Sequence, residues 1–245
     1  MGFESYTDCL LRAFILHHKP AEVIKRKKEI LNEIAEFHNY VPNSVLYIGF
    51  NPAILADDTP EIFVTEISND AQNFLKSNGV KFSFIDRSKL SSYQKKFESV
   101  IALDEYFTFA DDDNAQRNKV TEICNLASEY MITTVKDYKN QDFKDKEFSI
   151  PALIRNQKSN HVFLELHDHD LQDKNFWKTS VYQINDKTLV TGGPYNRRAM
   201  FFKQLAKFTS DAGAVEFNVH KNLMYKSLIK KNYEHVISIR FDNGS

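Results

Sequence analysis

Five apolar, β-branched runs set the frame of this chain: SVLYIGF at 44–50, IFVTEIS at 62–68, KFSFID at 81–86, SVIALDEYF at 99–107 and EYMITTV at 129–135. The first four begin at intervals of roughly 18–20 residues, which leaves room for a strand, a turn and a helix or long loop. Antiparallel neighbours need only a short turn, so such spacing favours parallel strands joined by right-handed crossovers. Between the runs, Ser68 or Asn69 can cap a helix that stops at Asn78-Gly79. Asp111-Asp112-Asp113 opens another, with Val120, Ile123, Cys124 and Ala127 on one face. The expectation is an α/β chain with a mostly parallel, doubly wound sheet built from successive βα units.

The flanks are different in texture. Residues 4–18 and 21–38 read as two helices, the second with Pro20 at its first turn, and make a helical extension over 1–40. Past 136, residues 137–160 are polar and read as loop, and HVFLEL (161–166), TSVYQI (179–184) and KTLVTG (187–192) read as short strands. Asn185-Asp186 suits a hairpin turn between the last two. Residues 137–192 are therefore expected as a β-rich insertion. A helix is expected from about 195 to 210, and VEFNVH (215–220) and HVISIRF (235–241) as closing strands. With no repeats or low-complexity runs, 1–245 is expected as a single domain.

Several function classes drop out on composition. With 32 basic and 33 acidic residues the formal net charge is −1, which gives no global attraction to nucleic acid or membrane. Cys9 and Cys124 are the only cysteines and form no CxxC pair, so neither a disulfide framework nor a cysteine zinc site is expected. The first twenty residues lack a basic n-region, and no apolar run is long enough to span a bilayer, so a cytoplasmic location is expected. No two of the seven glycines have GxG spacing, which removes GxGxxG, and no GxxxxGK[ST] phosphate loop occurs either. The GxSxG nucleophile elbow is also missing.

What remains resembles a class I, Rossmann-like S-adenosylmethionine-dependent methyltransferase, over about residues 40–135 and more loosely at the end of the chain. VLYIGFNPA (45–53) stands where that family has a strand, an acidic position and three alternately spaced glycines. Gly49 matches, Tyr47 replaces the acid, and Asn51 and Ala53 replace the later glycines. VTEIS (64–68) resembles the second motif, FSFIDRS (82–88) the third and FESVIALDEYF (97–107) the fourth. The resemblance implies a seven-stranded, mostly parallel sheet with HVISIRF as its antiparallel seventh strand, and S-adenosylmethionine as cofactor. It further implies that Gly49, Asn51, Glu66 and Asp86 bind the cofactor. Glu66 would accept the ribose hydroxyls, Asp86 would face the adenine amine, and Asp104 and Glu105 would border methyl transfer. DEYF at 104–107 lacks the prolines of an NPPY-type motif, so no particular acceptor is implied. The general physics of open parallel sheets agrees, since ligands sit beyond the carboxyl ends of the strands. The missing glycines also motivate another reading, a non-catalytic binding or assembly protein of the same fold.

Three further groups stand out. His167 and His169 follow the HVFLEL strand with Glu165 and His161 on the same parity, a pattern that could hold zinc or iron or present a general base. A substrate-binding role for the two histidines, with no metal, is the expectation. Gly192-Gly193-Pro194 before the expected helix, followed by Arg197 and Arg198, suits a phosphate or carboxylate at a helix start. Lys25-Arg26-Lys27-Lys28, with Lys221, Lys226, Lys230 and Lys231, could add weak nucleic-acid affinity but reads first as a solvated face.

Overall fold

A computed structural model of the protein describes residues 2–3, 5–94, 97–138, 146–155, 160–185, 187–229 and 233–242. Asp186 of the expected turn, and Lys230 and Lys231, lie outside the described residues. Strand β1 (Gly2–Phe3) leads into α1 (Tyr6–Ile15) and α2 (Pro20–His38). Ser5 and Asp8 close a capping box at the start of α1, and Pro20 opens α2, whose left-handed cap residue is Asn39. The central run follows as β2 (Ser44–Ile48), β3 (Glu61–Thr65), α3 (Asn69–Ser77), β4 (Ser83–Phe84), β5 (Phe97–Ala102), α4 (Asp113–Cys124) and β6 (Ala127–Val135). Ser68 caps α3 and Asp112 caps α4 through their side-chain oxygens.

The remainder is β7 (Lys146–Arg155), β8 (Asn160–His169), β9 (Phe176–Ile184), β10 (Leu189–Arg198), α5 (Phe202–Asp211), β11 (Ala214–Lys226) and β12 (Tyr233–Phe241). Seven strands form one sheet in the order β11-β12-β6-β5-β2-β3-β4. Strands β4, β3, β2, β5 and β6 are parallel, and β12 inserts antiparallel beside β6. The expected mostly parallel, doubly wound sheet with an antiparallel 235–241 strand is what the chain forms. Alternation along β2 shows why both faces are covered. Val45 and Tyr47 pack toward α1, α2 and α3, while Leu46 and Ile48 pack toward α4 and α5.

Three expectations give way. The crossovers after β2 and β4 are 3-10 turns, Pro52–Ala56 and Arg87–Tyr93, so only those after β3 and β5 carry an α-helix. Helix α2 packs against the first of these turns and covers that stretch of the sheet. It is tied there by Lys28, which bridges Asp57 at 3.2 Å and Asp58 at 2.9 Å. Second, part of the expected 137–160 loop is strand β7. Third, the expected helix from 195 is strand as far as Arg198, and α5 starts only at Phe202.

A second sheet, β1-β10-β9-β8-β7, is antiparallel apart from the β1–β10 pair. It leans on the carboxyl ends of the main sheet through a buried seam. Arg197 of β10 is 1% exposed, and its Nη2 lies 3.1 Å from Glu105 Oε2 and 2.7 Å from Thr108 Oγ1. Tyr138 donates to the other Glu105 oxygen, and the guanidinium sits 4.6 Å from the Phe109 ring centroid. Removing one partner of a buried pair strands the other charge, so Arg197→Met should cost about 3–5 kcal/mol in urea unfolding. Arg197→Met combined with Glu105→Leu should recover part of that loss; no recovery would deny the pair its place in the seam.

Candidate functional site

Strand order reverses at β2. The chain runs from β2 outward to β3 and β4, then returns to β5 on the other side. A crevice must open at the carboxyl ends where the connections diverge. The structure has a cleft of about 280 Å³ at that place. Its floor is Ile48, Gly49, Phe50 and Asn51 after β2, Glu66 after β3, and Leu103, Asp104 and Tyr106 after β5. Its roof is α1 with Tyr6 and Thr7, joined by Phe109, Lys119 and Tyr195.

The backbone at these strand ends is strained. Glu66, Asp104 and Glu105 have φ of 55°, 58° and 54°, in the left-handed region where non-glycine residues cost about 1–3 kcal/mol each. The only other such residue described is Asn39, the α2 cap. Gly49, with φ of 79°, turns the chain directly beneath α1. A Cβ on Gly49 would stand 3.4 Å from Thr7 Cγ2 and narrow the cleft at that point.

Glu66 receives Tyr106 Oη at 2.6 Å and Arg87 Nε at 2.9 Å, both on Oε1. Oε2 has no partner among the described residues, so this acid keeps an acceptor for a ligand. Arg87 in turn forks onto both oxygens of Glu122. Asp104 is 7% exposed. Its Oδ2 accepts from Tyr225 Oη at 2.5 Å, and its Oδ1 is buried with no hydrogen-bond partner among the described residues. Glu105 turns away from the cleft into the Arg197 seam.

Asn51 does not take the left-handed conformation that glycine would. It is extended, with φ of −132°, and its Oδ1 caps the 3-10 turn through Ala53 N at 2.9 Å. The substitution therefore replaces a glycine-rich loop with a capped turn. Asp86 is exposed and does not line the cleft; its Oδ1 accepts Ser88 N at 2.8 Å and Ser88 Oγ at 2.6 Å. His167 and His169 lie on β8 outside the cleft lining. His167 Nδ1 is 3.0 Å from Thr179 Oγ1, and His169 packs against Trp177 at 5.5 Å between ring centroids. Among the described residues no group of three or more His, Cys, Asp or Glu side chains is placed to hold a metal ion.

The expected anion site at a helix start is corrected. Arg197 and Arg198 are strand residues, Arg197 is spent on Glu105, and Arg198 bridges Asp113 and Asp173. Two arginines each facing carboxylates leave little positive charge for a ligand.

Sequence reasoning missed Tyr6, Phe109, Lys119 and Tyr195. Tyr6, Phe109 and Tyr195 form a mutual aromatic cluster with ring centroids 4.9–6.4 Å apart. Tyr6 also donates to the buried Glu165 of β8 at 2.8 Å, so the roof is bonded to the second sheet. Lys119 donates to Phe109 O at 3.1 Å and sits 3.8 Å above the Tyr106 ring. Loss of water around its ammonium brings its pKa down to about 8, against the opposing pull of Glu66. A lysine whose folded pKa is depressed leaves the unfolded chain binding more protons above that value, so its penalty fades as pH rises. The stability of the natural protein relative to Lys119→Met should therefore climb between about pH 8 and 10, as measured by urea unfolding. A flat difference over that window would contradict the placement of Lys119.

No protein-family model matches this chain, and no curated protein does. Solved structures of the same fold do. The sugar N-methyltransferase KedS8 from Streptoalloteichus is similar at a TM-score of 0.68, with 8% identity over 99% of this chain and 95% of that one. CalS10, an amino pentose methyltransferase from Micromonospora echinaspora with S-adenosylmethionine bound, is similar at 0.61, with 10% identity over 97% of each chain. An S-adenosylmethionine-dependent methyltransferase from Clostridium acetobutylicum is similar at 0.64, with 12% identity over 89% of this chain and 92% of that one. At these identities the likeness is one of fold: the chain has the fold of the class I methyltransferases, extended by the second sheet.

Proposed function

We propose that this protein is an S-adenosylmethionine-dependent methyltransferase acting on a small-molecule acceptor. The observation that carries the reading is Glu66 Oε2, a carboxylate oxygen without a partner among the described residues, beside the left-handed turn at Gly49 where the strand order reverses. A ribose diol needs such an acceptor, and a carboxylate supplies charge-assisted hydrogen bonds. Gly49 lets the cofactor approach the backbone, and Glu66 orients the nucleoside. Asn51 holds the following turn, and Asp86 stands near the nucleoside end, outside the lining. When bound, the cofactor supplies a methyl group activated on a sulfonium. This chain then has to hold an acceptor in line with it and keep water away, which is positioning work more than acid–base chemistry.

Asp104 follows β5, across β2 from Glu66 at the end of β3, and the acceptor is assigned to it together with Tyr6, Phe109 and Tyr195 of the cleft lining. The α1 roof and the modest volume favour a small acceptor over a polymer. Glu105, Arg197, Arg198, His167 and His169 support the second sheet rather than touch the acceptor. No helix among the described residues is long and apolar enough to cross a membrane, and both cysteines are buried thiols, which supports an expectation of a cytoplasmic enzyme.

Calorimetric titration with S-adenosylmethionine tests the reading. Loss of a charge-assisted hydrogen bond costs about 1.5–3 kcal/mol, so Glu66→Ala should weaken binding about 10- to 100-fold. Absence of binding at millimolar cofactor would sink the enzymatic reading and favour a non-catalytic binding or assembly role.

A further inference from the structure

Asp104 presents a problem that the chain does not solve by itself. Its side chain lines the cleft, its Oδ1 is buried, and no hydrogen-bond partner for that oxygen occurs among the described residues. A buried carboxylate oxygen left without a donor is costly, and natural structures keep such groups chiefly where a ligand completes them. The left-handed backbone that places Asp104 adds to that cost.

The charges behind Asp104 make the missing donor specific. Tyr225 donates to Oδ2, and Lys27 of α2 lies 3.1 Å above the Tyr225 ring and donates to Lys226 O. Lys27 feels both Asp104 and Glu234. Lys27 is thus shared between Asp104 and Glu234, and it gives Oδ1 no hydrogen bond. Around Glu66, by contrast, Arg87 and Lys119 offset Glu66 and Glu122. Tyr6, Phe109 and Tyr195 wall the Asp104 end with aromatic rings, and ring faces attract cations. No histidine is among the residues that line the cleft, and its one lysine, Lys119, is turned to Phe109 O and the Tyr106 ring.

We propose that the acceptor is an amine and that Asp104 Oδ1 seats its ammonium group and takes its proton. This rests on the methyltransferase reading above. The incoming ammonium passes one proton to Oδ1. The amine lone pair forms the new nitrogen–carbon bond while the methyl–sulfur bond breaks onto sulfur. The product leaves as an N-methylammonium ion, and the proton on Asp104 returns to water. Tyr225 is a positioning residue, fixing the carboxylate through Oδ2.

The sulfonium of the cofactor is cationic too, so the experiment separates the two. Protein saturated with S-adenosylhomocysteine, which lacks the sulfonium charge, is titrated with benzylamine and with benzyl alcohol, and the series is repeated on Asp104→Asn. The two cofactor forms are titrated alone on both proteins. The amine should bind about 10- to 100-fold tighter than the alcohol, Asp104→Asn should erase that preference, and the affinity for both cofactor forms should stay within about twofold. Equal binding of amine and alcohol overturns the proposal. Loss of S-adenosylmethionine affinity alone in Asp104→Asn would assign Asp104 to the sulfonium and overturn it equally. Failure of both cofactor forms to bind the natural protein would instead overturn the methyltransferase reading beneath it. Tyr225→Phe should keep S-adenosylhomocysteine affinity while lowering the amine preference less than Asp104→Asn does; an effect as large on the cofactor as on the amine would mark Tyr225 as merely structural.

Discussion

In a parallel sheet whose strand order reverses, the connections on either side of the reversal leave in opposite directions and cannot cover the gap between them. Here that gap opens over β2, and much of the chain's unusual local structure lies beside it. The strained residues Glu66, Asp104 and Glu105 stand at the ends of its two flanking strands. Helix α1 closes it from above and the second sheet props that roof through Tyr6 and Glu165. The buried Arg197–Glu105 pair holds the second sheet to the main one at the same end. Stability is given up locally, in positive φ angles and buried charge, where a ligand would benefit from fixed groups.

The replacement of a crossover helix by a 3-10 turn reshapes the neighbourhood. With only Pro52–Ala56 between β2 and β3, α2 covers the adjoining sheet face and Lys28 locks it to Asp57 and Asp58. Tyr47, which stands where the resembled family has an acid, also donates to Asp57. At the two positions where the resembled motif has its later glycines, Asn51 caps the turn and Ala53 is buried within it, while Gly49 has a left-handed φ of 79°.

Much of the main sheet was legible in the sequence because its signals are local. Apolar runs at short spacing, the caps at Ser68 and Asp112, and the stop at Asn78-Gly79 each depend on a few adjacent residues. Gly49, Glu66 and Asp104 could be placed for the same reason, as strand-end residues. What was illegible depends on contacts far apart in the chain. Arg197 reads as an anion-binding residue at a helix start, yet it pairs with a residue 92 positions away. Lys119 sits beside the apolar stripe of α4 and looks ordinary until Phe109 and Tyr106 fold over it. Tyr6 carries no local mark of a site at all. Strand β7 was hidden by polar neighbours and by Pro151, which argues against a strand when only local propensity is weighed.

The most direct test of the central claim is a crystal structure with S-adenosylhomocysteine bound. The ribose hydroxyls should lie on Glu66 Oε2, the chain of the ligand should pass over Gly49, and its sulfur should point toward Asp104 and the Tyr6–Phe109–Tyr195 rings. A ligand seated instead in the cavity between α2 and the sheet, lined by Asn32, Tyr40 and Tyr130, or a cleft ligand that leaves Glu66 Oε2 without a contact, would contradict this.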